Sequence, residues 1–245
     1  MFPVNAWTVF FAALITAIAT GLGALPFFFV RKFSPRWLGI FNAVAAGLML
    51  GACYGLINEG LSINMVLLVS GIAGGVILIA FLHHRLEHDE GAALTAIRES
   101  GLNKALMIVG VMTLHSFSEG IGVGVAYGGG QSLGAFITAA IAIHNIPEGL
   151  AISLVLVPRG TSPAKAGLWS IFTSLPQPIM AVPAFLLVTI FHPFLPFGLG
   201  LAAGAMMWMV FSELIPDSLE SVSKELMGVV LTLSLGAMIA FQALL

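Results

Sequence analysis

The sequence predicts an all-α integral membrane protein, with eight transmembrane helices in an inverted 3+2+3 repeat bundle and the fourth and fifth spans central. Three observations lead to the spans, and echoes between spans lead to the repeat. Of 245 residues, 59% are hydrophobic and only 8% are charged, against about 25% charged in a soluble domain, and the mean hydropathy is +1.06. The apolar residues gather in runs of about 20, the length that crosses a bilayer as a helix. Every Lys and Arg falls between alternate runs, so one face of the membrane receives them all.

The first run, 4–30, has no positive segment ahead of it and is too long for a signal-peptide core, so it reads as a retained span. RKFSPRW closes it. The second span is 37–59 and the third 62–84, followed by a short His- and acid-rich cytoplasmic loop at about 85–102. The fourth, 103–127, is separated by YGGGQS from the fifth, 131–157. VPRGTSPAK leads into the sixth, 166–191, where Pro176 and Pro178 flank Gln177 and predict either a bend at the depth of the site or a kink for packing alone. Phe191-His192-Pro193 marks the break before the seventh, 193–217, with His192 read as interfacial, and ESVSKE leads into the eighth, 225–245. Residues 1–245 thus read as one polytopic domain.

The cations test this map independently. Arg31, Lys32 and Arg36 lie between spans 1 and 2; Arg85, Arg98 and Lys104 between 3 and 4; Arg159 and Lys165 between 5 and 6; Lys224 between 7 and 8. Cytoplasmic loops carry the positive excess. An even number of spans with both termini extracytoplasmic follows, in a plasma or inner membrane or an organelle membrane. With net charge -2 and no basic patch with interleaved aromatics, no nucleic-acid partner is expected. The single Cys53 excludes an intrachain disulfide and a CxxC motif.

Chemistry enters with HSFSEG at 115–120 and HNIPEG at 144–149. Residues i and i+4 share a helix face, so His115 stacks with Glu119 and His144 with Glu148. Spans 4 and 5 run in opposite directions, and each motif lies near the middle of its span. The two pairs therefore meet at one depth. An acidic side chain at a membrane-helix centre costs around 2.5 to 3.5 kcal/mol, and two cost on the order of 5 to 7 kcal/mol before they repel. A divalent cation offsets that cost by neutralising both carboxylates and engaging both imidazoles. Two nitrogens and two oxygens suit Zn, and also Fe, Mn or Ni. The ion is cargo, and no cofactor is expected. Metal and protons compete for the same lone pairs, so loading releases protons. Gly120 and Gly149, each following its Glu, predict a close approach that brings the ligand faces together. Pro147 frees the carbonyl of Ile143 toward a polar cavity. AAGLM from Ala45 and AAGAM from Ala202 echo each other in oppositely directed spans 2 and 7, as inverted repeats would.

Two other readings stay open on the residues alone. A metal-free carrier would use the His/Glu pairs as a proton relay. An intramembrane metal hydrolase would need three ligands, an open position and a spare base, but HExxH is absent.

Together HSFSEG, HNIPEG, the eight spans and SELIPDSLE at the end of span 7 resemble the ZIP family of divalent metal transporters over essentially the whole chain. The resemblance implies transport of divalent metal, zinc above all, toward the cytoplasm by alternating access, with His115, Glu119, His144 and Glu148 as the main site. It implies Met49 as a neighbouring soft ligand, unless Met49 is simply core. Glu213 reads as a relay for ion access or release, and Asp217 and Glu59 as solvated near the interface. Many members carry further ligands where this chain has Ser116, Asn145 and Gln177. Amides and a hydroxyl are weak ligands, so one high-affinity site is expected, with these three lining the path. HHRLEHDE, 83–90, resembles the family's His-bearing loop, shortened; it reads either as a weak regulatory site or as the charged cap of a helix. GIAGG from Gly71 leaves packing within the chain or a homodimer open.

Overall fold

A computed structural model describes residues 4–30, 34–94 and 102–244, and among them every regular element is helical. Helix α1, Ala6–Gly21, continues as a 3-10 turn, Leu22–Phe28, that contains Pro26. Then come α2, Pro35–Ile63, and α3, Met65–Leu94. The central helices are α4, Leu102–Gly129, and α5, Gln131–Leu156. Span 6 is two helices, α6, Pro163–Ser174, and α7, Pro176–Ile190. Span 7 is α8, Leu195–Met209, a π-helical turn, Val210–Leu214, and α9, Ile215–Leu219. The last helix is α10, Lys224–Ala243.

Local chemistry sets these ends. Asn5 Oδ1 accepts from the Thr8 amide at 2.9 Å, and Ser162 and Ser223 cap α6 and α10 in the same way. Pro35, Pro163 and Pro176 stand at first helical positions, where the missing N–H costs nothing. The α-helix of span 6 breaks at Leu175 ahead of Pro176, where the prolines predicted a bend.

Two boundaries differ from expectation. The second and third helices part at Asn64, not at 60–61. Asn64 is extended (φ -159°, ψ 106°) and its Oδ1 accepts from the Leu67 amide at 3.0 Å, so it caps α3. The expected loop at 85–102 is helical as far as Leu94, because a run of Leu, Glu and Ala without proline carries α3 onward. Residues 95–101 of that loop, with Arg98, lie outside the described residues, as do Arg31 and Lys32.

Among the described residues, seven helical segments are long and apolar enough to cross a membrane: Ala6–Phe28, Arg36–Ile63, Met65–Arg85, Gln131–Arg159, Pro163–Ile190, His192–Leu219 and Lys224–Ala243. The 28-residue α4 is a further long helix beside them. Val66, Ile77, Ile190 and Leu233 are each about two-thirds exposed or more, which suits hydrocarbon as solvent and not water. This is an integral, multi-pass membrane protein.

Packing is reciprocal. Helix α3 lies along α8 and α10 along α2; α4 lies along α7 and α5 along α1; α5 touches α2 and α4 touches α8. Exchanging α1, α2 and α3 with α7, α8 and α10 in order, and α4 with α5, maps each of these pairs onto its mate. Glycines set the closeness of several contacts. Gly71 and Gly75 sit against the Phe197 and Leu201 backbone of α8, so this face of α3 is filled within the chain. Gly120 abuts the backbone of Gln177, and Gly149 abuts that of Thr20. The glycines after the two glutamates therefore bring α7 and α1 close, and do not draw α4 and α5 onto each other as the sequence suggested. Helix interfaces of this kind are built on small residues.

A Cβ at Gly75 would run into the Leu201 carbonyl and lie 2.9 Å from the Ala205 nitrogen, whereas one at Gly228 meets nothing within 4 Å. Gly75→Ala should lower the melting temperature of the purified protein, at a cost of about 2 kcal/mol or more. Gly228→Ala should leave it unchanged or raise it, since alanine favours helix by up to about 1 kcal/mol. Thermal unfolding in detergent reads both.

Candidate metal site

Helices α4 and α5 pack side by side and carry the two motifs to one point. One donor atom from each of His115, Glu119, His144 and Glu148 lies within 4.8 Å of the other three, and all four residues are buried. Nε2 of His144 is 2.5 Å from Glu119 Oε1, and Nε2 of His115 is 3.4 Å from the same oxygen. The imidazole centroids are 6.2 Å apart. Both oxygens of Glu148 are buried without a hydrogen-bond partner among the described residues. A buried polar group normally has a partner, and an unpartnered carboxylate in an apolar bundle is costlier still. Donors around a four-coordinate zinc ion stand about 3.4 Å apart for bonds near 2.1 Å. The four side chains thus need only small rotations to meet around one ion.

Glu119 has a second environment. Its Oε2 accepts from Gln177 Nε2 at 2.6 Å, and that nitrogen also lies 3.5 Å from Ser116 Oγ. Gln177 Oε1 accepts from the Thr16 hydroxyl and, at 3.3 Å, from Asn145 Nδ2, which also donates to the Thr16 carbonyl at 2.9 Å. All four of these residues have no measurable exposure. Further along, the hydroxyls of Thr20 and Ser174 share a hydrogen bond of 2.8 Å. Ser116, Asn145 and Gln177 therefore gather at Glu119 on the side of α1 and α7. Sequence reading missed Thr16. Its signal is Thr16-x-x-x-Thr20, an i, i+4 polar pair well inside the first apolar span.

The opposite side is ionisable. Glu213 lies in the π-helical turn after α8, with Oε2 at 4.0 Å from His115 Nδ1 and Oε1 at 3.5 Å from His83 Nε2. The His83 ring stands edge-on to Trp208, centroids 5.1 Å apart. His83 thus belongs to a helix face against α8 and not to a loop, while the side chains of 86–90 lie outside those described. A π turn changes which side chains a helix presents, and such turns recur at functional positions. Pro216 helps to explain this one, since it cannot donate to the carbonyl of Ser212. Asp217 is exposed on α9, and Glu59 is half-buried. Met49 is wholly buried in the apolar core. A second thioether lies at the α4 motif: Met209 Sδ is 3.9 Å from Ser118 Oγ.

Comparison with known proteins bears on this arrangement. The family model described as ZIP Zinc transporter matches residues 82–241, a span that holds both motifs. A protein of Arabidopsis thaliana, named provisionally as a zinc transporter, is 48% identical over 246 residues, covering 98% of this chain and 39% of its own length. The present chain thus spans about two-fifths of that relative. The zinc transporter GufA of Myxococcus xanthus is 32% identical over 84% of this chain and 87% of its own. The zinc transporter ZIPB of Bordetella bronchiseptica is 30% identical over 82% of this chain and 69% of its own.

Proposed function

Because the chain belongs to the ZIP family of zinc transporters, we propose that it carries divalent metal ions, zinc above all, across a membrane toward the cytoplasm, through a site formed by His115, Glu119, His144 and Glu148. The family is one of transporters and not of enzymes. The observation that carries the reading is the unpartnered Glu148 carboxylate, buried beside Glu119 and two imidazoles. A dication answers all four groups at once. An ion seated there would take over the Glu119 oxygen that now faces both imidazoles.

Seven apolar helices and the long α4 support eight spans. The reciprocal packing supports an inverted 3+2+3 arrangement, and the distribution of Lys and Arg supports extracytoplasmic termini. Movement is supported by how the helices are fastened. Side-chain hydrogen bonds tie α1, α4, α5 and α6–α7 together. Glycine-paired faces and the bond from Ser218 Oγ to the Gly39 carbonyl hold α2, α3, α8–α9 and α10. The two groups meet along α2 with α5 and α4 with α8, around apolar residues such as Met49, Val123, Ile137 and Met206. Alternating access is then displacement of one group past the other. The contacts of Glu213 with His115 and His83 support these two residues as the next step of the path, on the side where Arg85 and Lys224 support a cytoplasmic face.

Uptake of zinc into proteoliposomes tests the site. Glu119→Ala and His144→Ala should each abolish uptake while the protein still inserts and folds; wild-type uptake by either would remove the site. Zinc affinity should fall as pH is lowered, because ion and protons compete for the same donors, and titration in weak buffer should register proton release on loading. Glu213→Gln and His83→Ala should each lower the maximal rate about tenfold, equivalent to about 1.4 kcal/mol, with binding at the central site kept.

A further inference from the structure

The side chain of Gln177 uses both ends of its amide. Nε2 points at Glu119 Oε2, 2.6 Å away, and at Ser116 Oγ, 3.5 Å away. Oε1 receives the Thr16 hydroxyl and the Asn145 amide. Turned over, the group would set its carbonyl against the Glu119 carboxylate and its NH2 against that of Asn145. The hydrogen-bond network therefore fixes which way it faces.

That fixed amide constrains Glu119. With Oε2 held by Gln177, only Oε1 remains for the imidazoles, and Oε1 is the oxygen 2.5 Å from His144 and 3.4 Å from His115. A carboxylate free to turn could chelate one ion through both oxygens or bridge to a second ion on the far side. The far side here is filled by groups from α1, α5 and α7 that are neutral, wholly buried and largely engaged with one another. Groups that fix a ligand's orientation set metal affinity nearly as strongly as the ligand itself.

We propose that Gln177 is the positioning residue of the transport site: it holds Glu119 to ligation through one oxygen, and its amide, braced by Thr16 and Asn145, closes the adjoining polar space to a second cation. The site then takes one divalent ion at a time. This rests on the transport-site reading above.

The test uses full-length protein in detergent, with bound Zn2+ per chain measured by equilibrium dialysis and elemental analysis. It adds the visible absorption of bound Co2+ and the KM and Vmax of zinc uptake. Wild type should bind one ion. Gln177→Leu should still bind one, with a changed Co2+ spectrum and KM raised about tenfold or more, while Vmax stays within about twofold. Thr16→Val keeps Gln177 and removes the donor that orients it, so it should shift the spectrum and KM the same way by about threefold; it decides the matter if Gln177→Leu does not fold. Gln177→Glu, nearly isosteric, should bind two ions. Two ions in wild type, one in Gln177→Glu, or unchanged KM and Co2+ spectrum in Thr16→Val would each overturn the proposal while leaving the transport site standing. Wild-type protein that binds no ion would remove the transport site itself.

Discussion

Everything in this structure is arranged around two carboxylates that an apolar bundle has to bury. Glu119 and Glu148 sit with His115 and His144 inside a bundle whose core is mostly apolar. No packing of such a core favours that placement, since each buried acid costs energy that apolar contact does not return. The cost is tolerable only if the acids find partners, and the two find them differently. Glu119 is hydrogen-bonded on both oxygens. Glu148 has no hydrogen-bond partner among the described residues, and it is the group whose charge a cation would answer.

The surroundings of the four donors are asymmetric, and the asymmetry has chemical content. Toward α1 and α7 the neighbours are neutral: Gln177, Asn145, Ser116 and Thr16 form a braced cluster in which a change at one side chain disturbs the rest. Toward α3 and α8 the neighbours are Glu213 and His83, groups able to pass a cation or a proton onward. The neutral side suits a wall and the ionisable side suits a passage. The π turn at Val210–Leu214 puts Glu213 on that side without ending the helix.

Much of this was legible in the residues, and the failures have identifiable causes. The i, i+4 spacing of His and Glu in two oppositely directed spans is a direct statement about geometry, and the four donors do converge. Pro176 announced the break in span 6, and Pro193 the short turn before α8. Apolar content alone does not fix the boundary between the second and third helices, which capping by the Asn64 side chain decides. The charge of the His/acid segment reads as a loop, but helix propensity carries α3 to Leu94. Gly120 and Gly149 announce a close approach, but a glycine does not specify which helix comes close, and here the neighbours are α7 and α1. The pairing of Thr16 with Gln177 spans 161 residues, a distance over which one sequence holds no periodicity to read.

The most direct measurement is X-ray absorption at the zinc edge on protein loaded with one equivalent of Zn2+. Two imidazole nitrogens and carboxylate oxygens at about 2.0–2.2 Å, with no sulfur at about 2.3 Å, and loss of that signal in His144→Ala, are what convergence of the four donors predicts. A spectrum dominated by sulfur, or one that His144→Ala leaves unchanged, would mean that the ion binds elsewhere and that the buried acids serve another purpose.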